Sequence, residues 1–218
     1  TVFDGTGLLL RGTLEVPDER GARVRVAEAQ TAQPQRPEMV LVQALPKGKA
    51  MDALLRMATE IGVAAVCPVF TEHAESALGG RRLEAKCAKW RATMVEACKQ
   101  CGLPFLPRLE SPSRLPAWLE ANPPGPGGLR VVSSLEPGSR PLLDVLEAER
   151  PPERLVVAVG PEGDFSPPEY RLLAEGGFRP VRLGANVLRV ETAAAYVLGV
   201  ADQALRGCGV TGSQTPAR

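Results

Sequence analysis

The segment Leu155-Val156-Val157-Ala158-Val159, running straight into Gly160-Pro161-Glu162-Gly163-Asp164-Phe165, constrains the fold more than any other part of the chain. An apolar run without polar alternation describes a strand covered on both faces, as in a parallel sheet flanked by helices. In open sheets of that kind ligands bind beyond the carboxyl ends of the strands, so the loop from Gly160 is a candidate ligand loop. Ser166-Pro167-Pro168-Glu169 follows as a helix start: Ser as N-cap, Pro at the first helical position, Glu three residues after the cap. Taken alone, the glycines of this loop serve a tight strand-to-helix turn equally well.

A second loop repeats the arrangement. Phe178 to Leu183 reads as a strand, Gly184 to Arg189 as a loop, and Glu191 to Leu205 as a helix that opens on small residues, Ala193-Ala194-Ala195, and so permits close approach. Further upstream, Met39 to Leu45 and Val63 to Phe70 read as buried strands around an Ala50 to Ile61 helix, with a long amphipathic helix over Leu83 to Cys101. Asn122 to Gly128 is a Pro/Gly loop, Leu129 to Leu135 a strand, Leu142 to Glu149 a helix, and Pro167 to Glu175 another. The alternation predicts an α/β domain over residues 37–206 with a mostly parallel sheet. Residues 1–36 have another character: short strands over Leu8 to Val16 and Ala22 to Ala29, a turn over Pro17 to Gly21, then a polar linker, Thr31 to Pro37. The chain begins at Thr1 in a turn signal with no strand before it, and the expectation is that something N-terminal is missing. Residues 207–218 are expected to be a disordered tail.

Composition excludes more than it selects. Of 218 residues, 26 Lys+Arg stand against 25 Asp+Glu, so no whole-molecule field draws in a polyanion, and any nucleic-acid contact requires a local basic face. No apolar stretch approaches the roughly 20 residues that span a bilayer. Five cysteines, an odd number, do not make the framework of a small secreted domain and fit a reducing compartment, cytoplasmic or an organellar matrix. Cys98 and Cys101 form a lone C-x-x-C without a second pair at zinc spacing, and they read as small apolar residues on a helix, with no metal expected. Neither loop carries a dinucleotide or P-loop pattern, and His73, the one histidine, has no placeable triad partner.

Two motifs go further. Val159-Gly160-Pro161-Glu162-Gly163-Asp164-Phe165-Ser166, followed by Leu183-Gly184-x-x-Val187-Leu188-Arg189-x-Glu191-Thr192-Ala193, resembles the ribosomal RNA small-subunit (16S, uracil-N3) methyltransferase family, the RsmE-like members of the SPOUT class. Lys47-Gly48, Thr59-Glu60-x-Gly62-Val63, Trp90 and Glu96-Ala97-x-x-Gln100 resemble it too, and the likeness covers about residues 39 to 205. The resemblance implies a trefoil-knotted domain, a homodimer, no membrane, and small-subunit ribosomal RNA or the assembled subunit as partner. It implies S-adenosyl-L-methionine as cofactor, with S-adenosyl-L-homocysteine as product, held by loops at Ser133 to Glu136, Gly160 to Gly163 and Leu183 to Leu188. The cofactor residues it implies are Leu135, Gly160, Pro161, Glu162, Gly163, Leu183, Gly184, Val187, Leu188, Arg189, Thr192 and Ala193. Residues 1–36 are similar to the C-terminal part of a PUA-like β domain that grips RNA.

Methyl transfer from a sulfonium is an in-line displacement that needs no metal, so positioning carries most of the rate. Uracil N3 must lose a proton, which points to Arg189, Glu191 and Glu162 as candidate catalytic groups. The basic run Arg81, Arg82, Lys86, Lys89, Arg91 and Lys99 fits a solvated helix face or phosphate contacts. Three departures stand out: Asp164 where the family usually has Gly, which places a carboxylate near the sulfonium, Leu103 where it has Arg, and His73-Ala74 where it has Arg-Ser. Two alternatives stay open: transfer to another RNA atom such as a ribose 2′-hydroxyl, and a catalytically impaired RNA-binding or assembly factor of the same fold.

Overall fold

The computed structural model describes residues 1–18, 21–74, 80–148 and 151–207. Residues 208–218 of the expected disordered tail and 19–20 of the expected first turn lie outside the described residues; Pro17 and Asp18 end one strand and Gly21 begins the next, so the strands run further into the expected turn. β1 (Val2–Phe3), β2 (Leu8–Asp18) and β3 (Gly21–Thr31) form an antiparallel sheet that fits a PUA-like domain. This sheet leans on the rest of the chain: Gly7 donates to the Pro104 carbonyl and Leu106 to that of Gly5. Gly7 has φ 107°, and a Cβ there would sit 2.6 Å from the Phe105 ring, so only glycine permits the contact.

The second sheet has eight strands, all paired in parallel. In chain order its elements are β4 (Glu38–Ala44), α1 (Ala50–Ile61), β5 (Ala65–Phe70), α2 (Arg81–Cys101), β6 (Arg108–Leu109), β7 (Ser113–Arg114) and α3 (Leu115–Ala121). β8 (Gly128–Ser133), β9 (Arg140–Pro141), α4 (Leu142–Glu147), β10 (Arg154–Val159), α5 (Pro167–Glu175), β11 (Arg179–Arg182) and α6 (Val190–Arg206) follow. The spatial order is β6-β5-β4-β10-β8-β11-β9, with β7 beside β5, so β10 inserts between two strands that precede it in the chain.

The central strand explains its own sequence. Leu155, Val157 and Val159 enter the core under α1, α2, α4 and α6, whereas Val156 and Ala158 enter the core under α3 and α5. Both faces are dry, so no polar alternation survives. α2 buries Trp90, Met94, Ala97 and Cys98 along one stripe and turns most of the basic run to solvent. Lys89 and Asp52 form an ion pair between α2 and α1.

Several elements depart from expectation. α3 occupies a Pro-containing stretch in which no helix was expected, because Pro116 in its first turn is compatible with a helix start. β8 stops at Ser133, not Leu135, because the Glu136 amide bonds to the Ser134 hydroxyl and turns the chain. β6, β7 and β9 have two residues each, too short to carry a period.

Candidate functional site

β10, β8 and β11 are neighbours in parallel register, so their loops open at one end of the sheet. Between these loops and Ala50, at the start of α1, lies a cavity of about 530 Å³. Among the residues the sequence singled out, Leu135, Gly160, Pro161, Glu162, Leu183, Gly184, Val187, Leu188, Arg189, Glu191 and Ala193 line it. Gly163 and Thr192 do not. A Cβ on Gly163 would sit 3.0 Å from the His73 Cβ, so this glycine makes room for that side chain. Thr192 lies between the buried Val190 and Ala194, on the exposed side of α6.

The loop after β10 is fastened on every side. The Glu162 carboxylate accepts the Lys47 amide at 2.9 Å, tying it to the loop after β4. The Asp164 carbonyl meets His73 Nδ1 at 3.0 Å, from the loop after β5. The expected capping box of α5 is present: Glu169 accepts the Ser166 amide at 2.9 Å, and its other oxygen accepts the Glu72 amide at 2.9 Å. Gly160 is required by the fold-back of this loop, since a Cβ would lie 2.9 Å from Asp164 Oδ1 and 3.2 Å from the Phe165 nitrogen.

Asp164 lies in the same loop. Its carboxylate is engaged within the protein: Oδ1 accepts the Phe165 amide at 2.8 Å, and the Tyr170 hydroxyl lies 2.9 Å from both oxygens. It lines the cavity with its carboxylate already hydrogen-bonded. With φ 61° it is the one non-glycine residue at positive φ among the described residues. Such a conformation costs about 1–3 kcal/mol and persists where neighbours hold it. Burial is the largest cause pushing the Tyr170 phenol up; a hydrogen bond with Ser134 opposes it, and the Asp164 charge adds to it.

The loop after β11 is built differently. No side chain of residues 184–188 makes a hydrogen bond among the described residues, and Val187 is 77% exposed. Arg189, the N-cap residue of α6, and Glu191 in its first turn likewise have no ion pair or side-chain hydrogen bond among the described residues. An arginine and a glutamate thus border one cavity with their hydrogen-bonding capacity available.

The sequence did not point to Arg182 or Ala50 as lining residues. Arg182 ends a strand and Ala50 begins a helix in a distant part of the chain, and neither carries a local signal. Among the described residues no group of His, Cys, Asp and Glu is arranged to hold a metal ion, and no helix is long and apolar enough to cross a membrane.

The cavity suits a nucleoside-bearing sulfonium on its own terms. Its volume lies within the range of small-molecule sites, Leu135, Val159, Val187 and Leu188 supply apolar wall, and Ser133, whose buried hydroxyl lacks a partner among the described residues, borders it. The fold is shared with the TrmH/SpoU tRNA-modifying enzyme of Aquifex aeolicus, at TM-score 0.53 and 15% identity over 79% of this chain and 77% of that one. Residues 33–202 match the RNA methyltransferase domain family, so fold and sequence together define a methyltransferase of the SPOUT class. The ribosomal RNA small subunit methyltransferase E of Mycobacterium bovis is 31% identical over 197 residues, 90% of this chain and 74% of that protein. The Neisseria gonorrhoeae enzyme of the same name, solved bound to S-adenosyl methionine, superposes at TM-score 0.81 with 27% identity, over 93% of this chain and 81% of that one. The chain belongs to the ribosomal RNA small subunit methyltransferase E family.

Proposed function

We propose that this chain binds S-adenosyl-L-methionine in the cavity and methylates N3 of one uridine in small-subunit ribosomal RNA. The observation that carries the reading is the meeting of Arg189 and Glu191, both without protein partners among the described residues, with the loops after β8, β10 and β11 at one 530 Å³ cavity. The cofactor-bound relatives support the donor, and the family supports ribosomal RNA as acceptor.

When bound, the cofactor supplies an electrophilic methyl group on sulfur. The protein's part is to hold that methyl in line with the acceptor nitrogen and to exclude competing water, the kind of positioning that supplies most of such a rate enhancement. The apolar walls at Leu135, Val187 and Leu188 would flank the nucleoside, with backbone groups of Gly160 to Glu162 and Leu183 to Val187 meeting its polar edges. Arg189 would stabilise the negative charge that develops on the uracil carbonyls as N3 loses its proton. Glu191 is the better candidate to take that proton, because Glu162 already accepts the Lys47 amide. Glu162 then serves by joining the loops after β4 and β10.

Two further parts belong to this reading. Residues 1–36 would act as an RNA-gripping unit beside the domain of residues 37–206. A homodimer is supported by the exposed apolar side chains Leu135 at the cavity mouth and Tyr196 on α6, which a second copy would cover. Sedimentation should give twice the chain mass.

The test is labelled methyl transfer from S-adenosyl-L-methionine to assembled small subunits, beside naked ribosomal RNA and transfer RNA, with mass mapping of the product. Methyl on uracil N3 at one position supports the proposal, and methyl on a ribose 2′-oxygen or no transfer overturns it.

A further inference from the structure

The residue at positive φ in the cofactor loop is fastened from α5. Tyr170, in the first turns of α5, reaches both oxygens of Asp164 at 2.9 Å, and its ring packs edge-on against Phe165 with centroids 5.8 Å apart. The helix start is itself fixed by the Ser166/Glu169 capping box. Asp164 Oδ1 in turn occupies the space that a side chain on Gly160, a residue of the cavity wall, would take: a Cβ there would meet it at 2.9 Å. A chain of contacts therefore leads from a rigid helix terminus through one carboxylate to the wall of the cavity, and Tyr170 itself does not line that cavity.

We propose that Tyr170 is a positioning residue for cofactor binding: its hydroxyl holds the Asp164 carboxylate against Gly160 and so fixes the loop after β10 in its ligand-binding shape. Glycine reaches positive φ without penalty, whereas aspartate needs support there. The device replaces conformational freedom at position 164 with a clasp, and it rests on the cofactor reading above.

The experiment is a double-mutant cycle read by calorimetric titration of S-adenosyl-L-homocysteine into the wild-type chain, Tyr170→Phe, Asp164→Gly and the double variant. Tyr170→Phe keeps the ring and its contact with Phe165. It should weaken binding on the order of tenfold with Asp164 present, and by less than about threefold in the Asp164→Gly background, where no carboxylate remains to be held. Equal losses in both backgrounds would mean that the hydroxyl acts through another partner, such as Ser134, and would overturn the inference, as would no loss with Asp164 present. Thermal melts identify any variant that fails to fold, and Asp164→Ala, which also leaves no acceptor for the hydroxyl, then supplies the same cycle. If the wild-type chain binds no S-adenosyl-L-homocysteine, the cofactor reading falls and the inference with it; wild-type binding with an unresponsive Tyr170→Phe sinks the inference alone.

Discussion

The loops after β10 and β11 occupy equivalent places at the ends of parallel strands, yet they are made in opposite ways. Residues 160–165 are tied to three other segments by Glu162, Asp164 and the His73 contact, and their glycines make room for protein atoms. Residues 184–188 present an open glycine, with no atom within 4 Å of where a Cβ on Gly184 would stand, and side chains without hydrogen-bond partners among the described residues. The first loop is preformed. The second has its interactions still to make, and it leads directly to Arg189 and Glu191. A site divided this way keeps the entropic cost of ordering on one side of the ligand only.

Substitutions should separate the two sides. The largest effect expected is from Arg189→Ala on activity: methyl transfer to small subunits falls by a factor on the order of 100 or more, while the thermal midpoint stays within a few degrees, because its side chain makes no contact that holds the fold. Unchanged transfer would remove Arg189 from its role. Leu155→Ala, in the strand beneath the fastened loop, should cost about 2–5 kcal/mol in chemical denaturation, since Leu155 is fully buried. Glu162→Ala should cost about 0.5–1.5 kcal/mol through the lost bond to the Lys47 amide. Val187→Ala, 77% exposed, should leave denaturation within about 0.5 kcal/mol and still weaken S-adenosyl-L-homocysteine binding several-fold. A stability loss at Val187 equal to that at Glu162 would erase the distinction between the loops.

Tyr170 gives a smaller, pH-dependent effect. Its phenol is pushed up mainly by burial, so the folded state favours the neutral form. The corresponding stability is fully present below the ordinary phenol range, about pH 10, and is lost as pH rises above it. The alkaline limb of a denaturation profile should therefore be shallower for Tyr170→Phe than for the wild-type chain.

The parts legible in the sequence were those with a local physical signature. β10 announced itself because burial on both faces removes alternation, and α5 because Ser166, Pro167 and Glu169 sit at the positions a helix start requires. Most residues expected at the cofactor site do border one cavity, since loops at neighbouring parallel strand ends must converge. What stayed hidden depended on distant partners. Gly163 serves His73, from a loop about ninety residues earlier, and the direction of the Asp164 carboxylate depends on Tyr170 and the Phe165 amide. Ala50 joins the cavity from the far end of another crossover. α3 and the two-residue strands offered too few residues for any period to emerge.

Amide hydrogen exchange on the free chain, repeated with saturating S-adenosyl-L-homocysteine, tests the division of labour most directly. The Asp164 and Phe165 amides are bonded to the Pro161 carbonyl and the Asp164 carboxylate, so they should already be protected in the free chain and change little. Amides of residues 185–188 should exchange fast in the free chain and become protected on binding. Equal protection of both loops before ligand is added, with no change at 185–188 afterwards, would contradict the account.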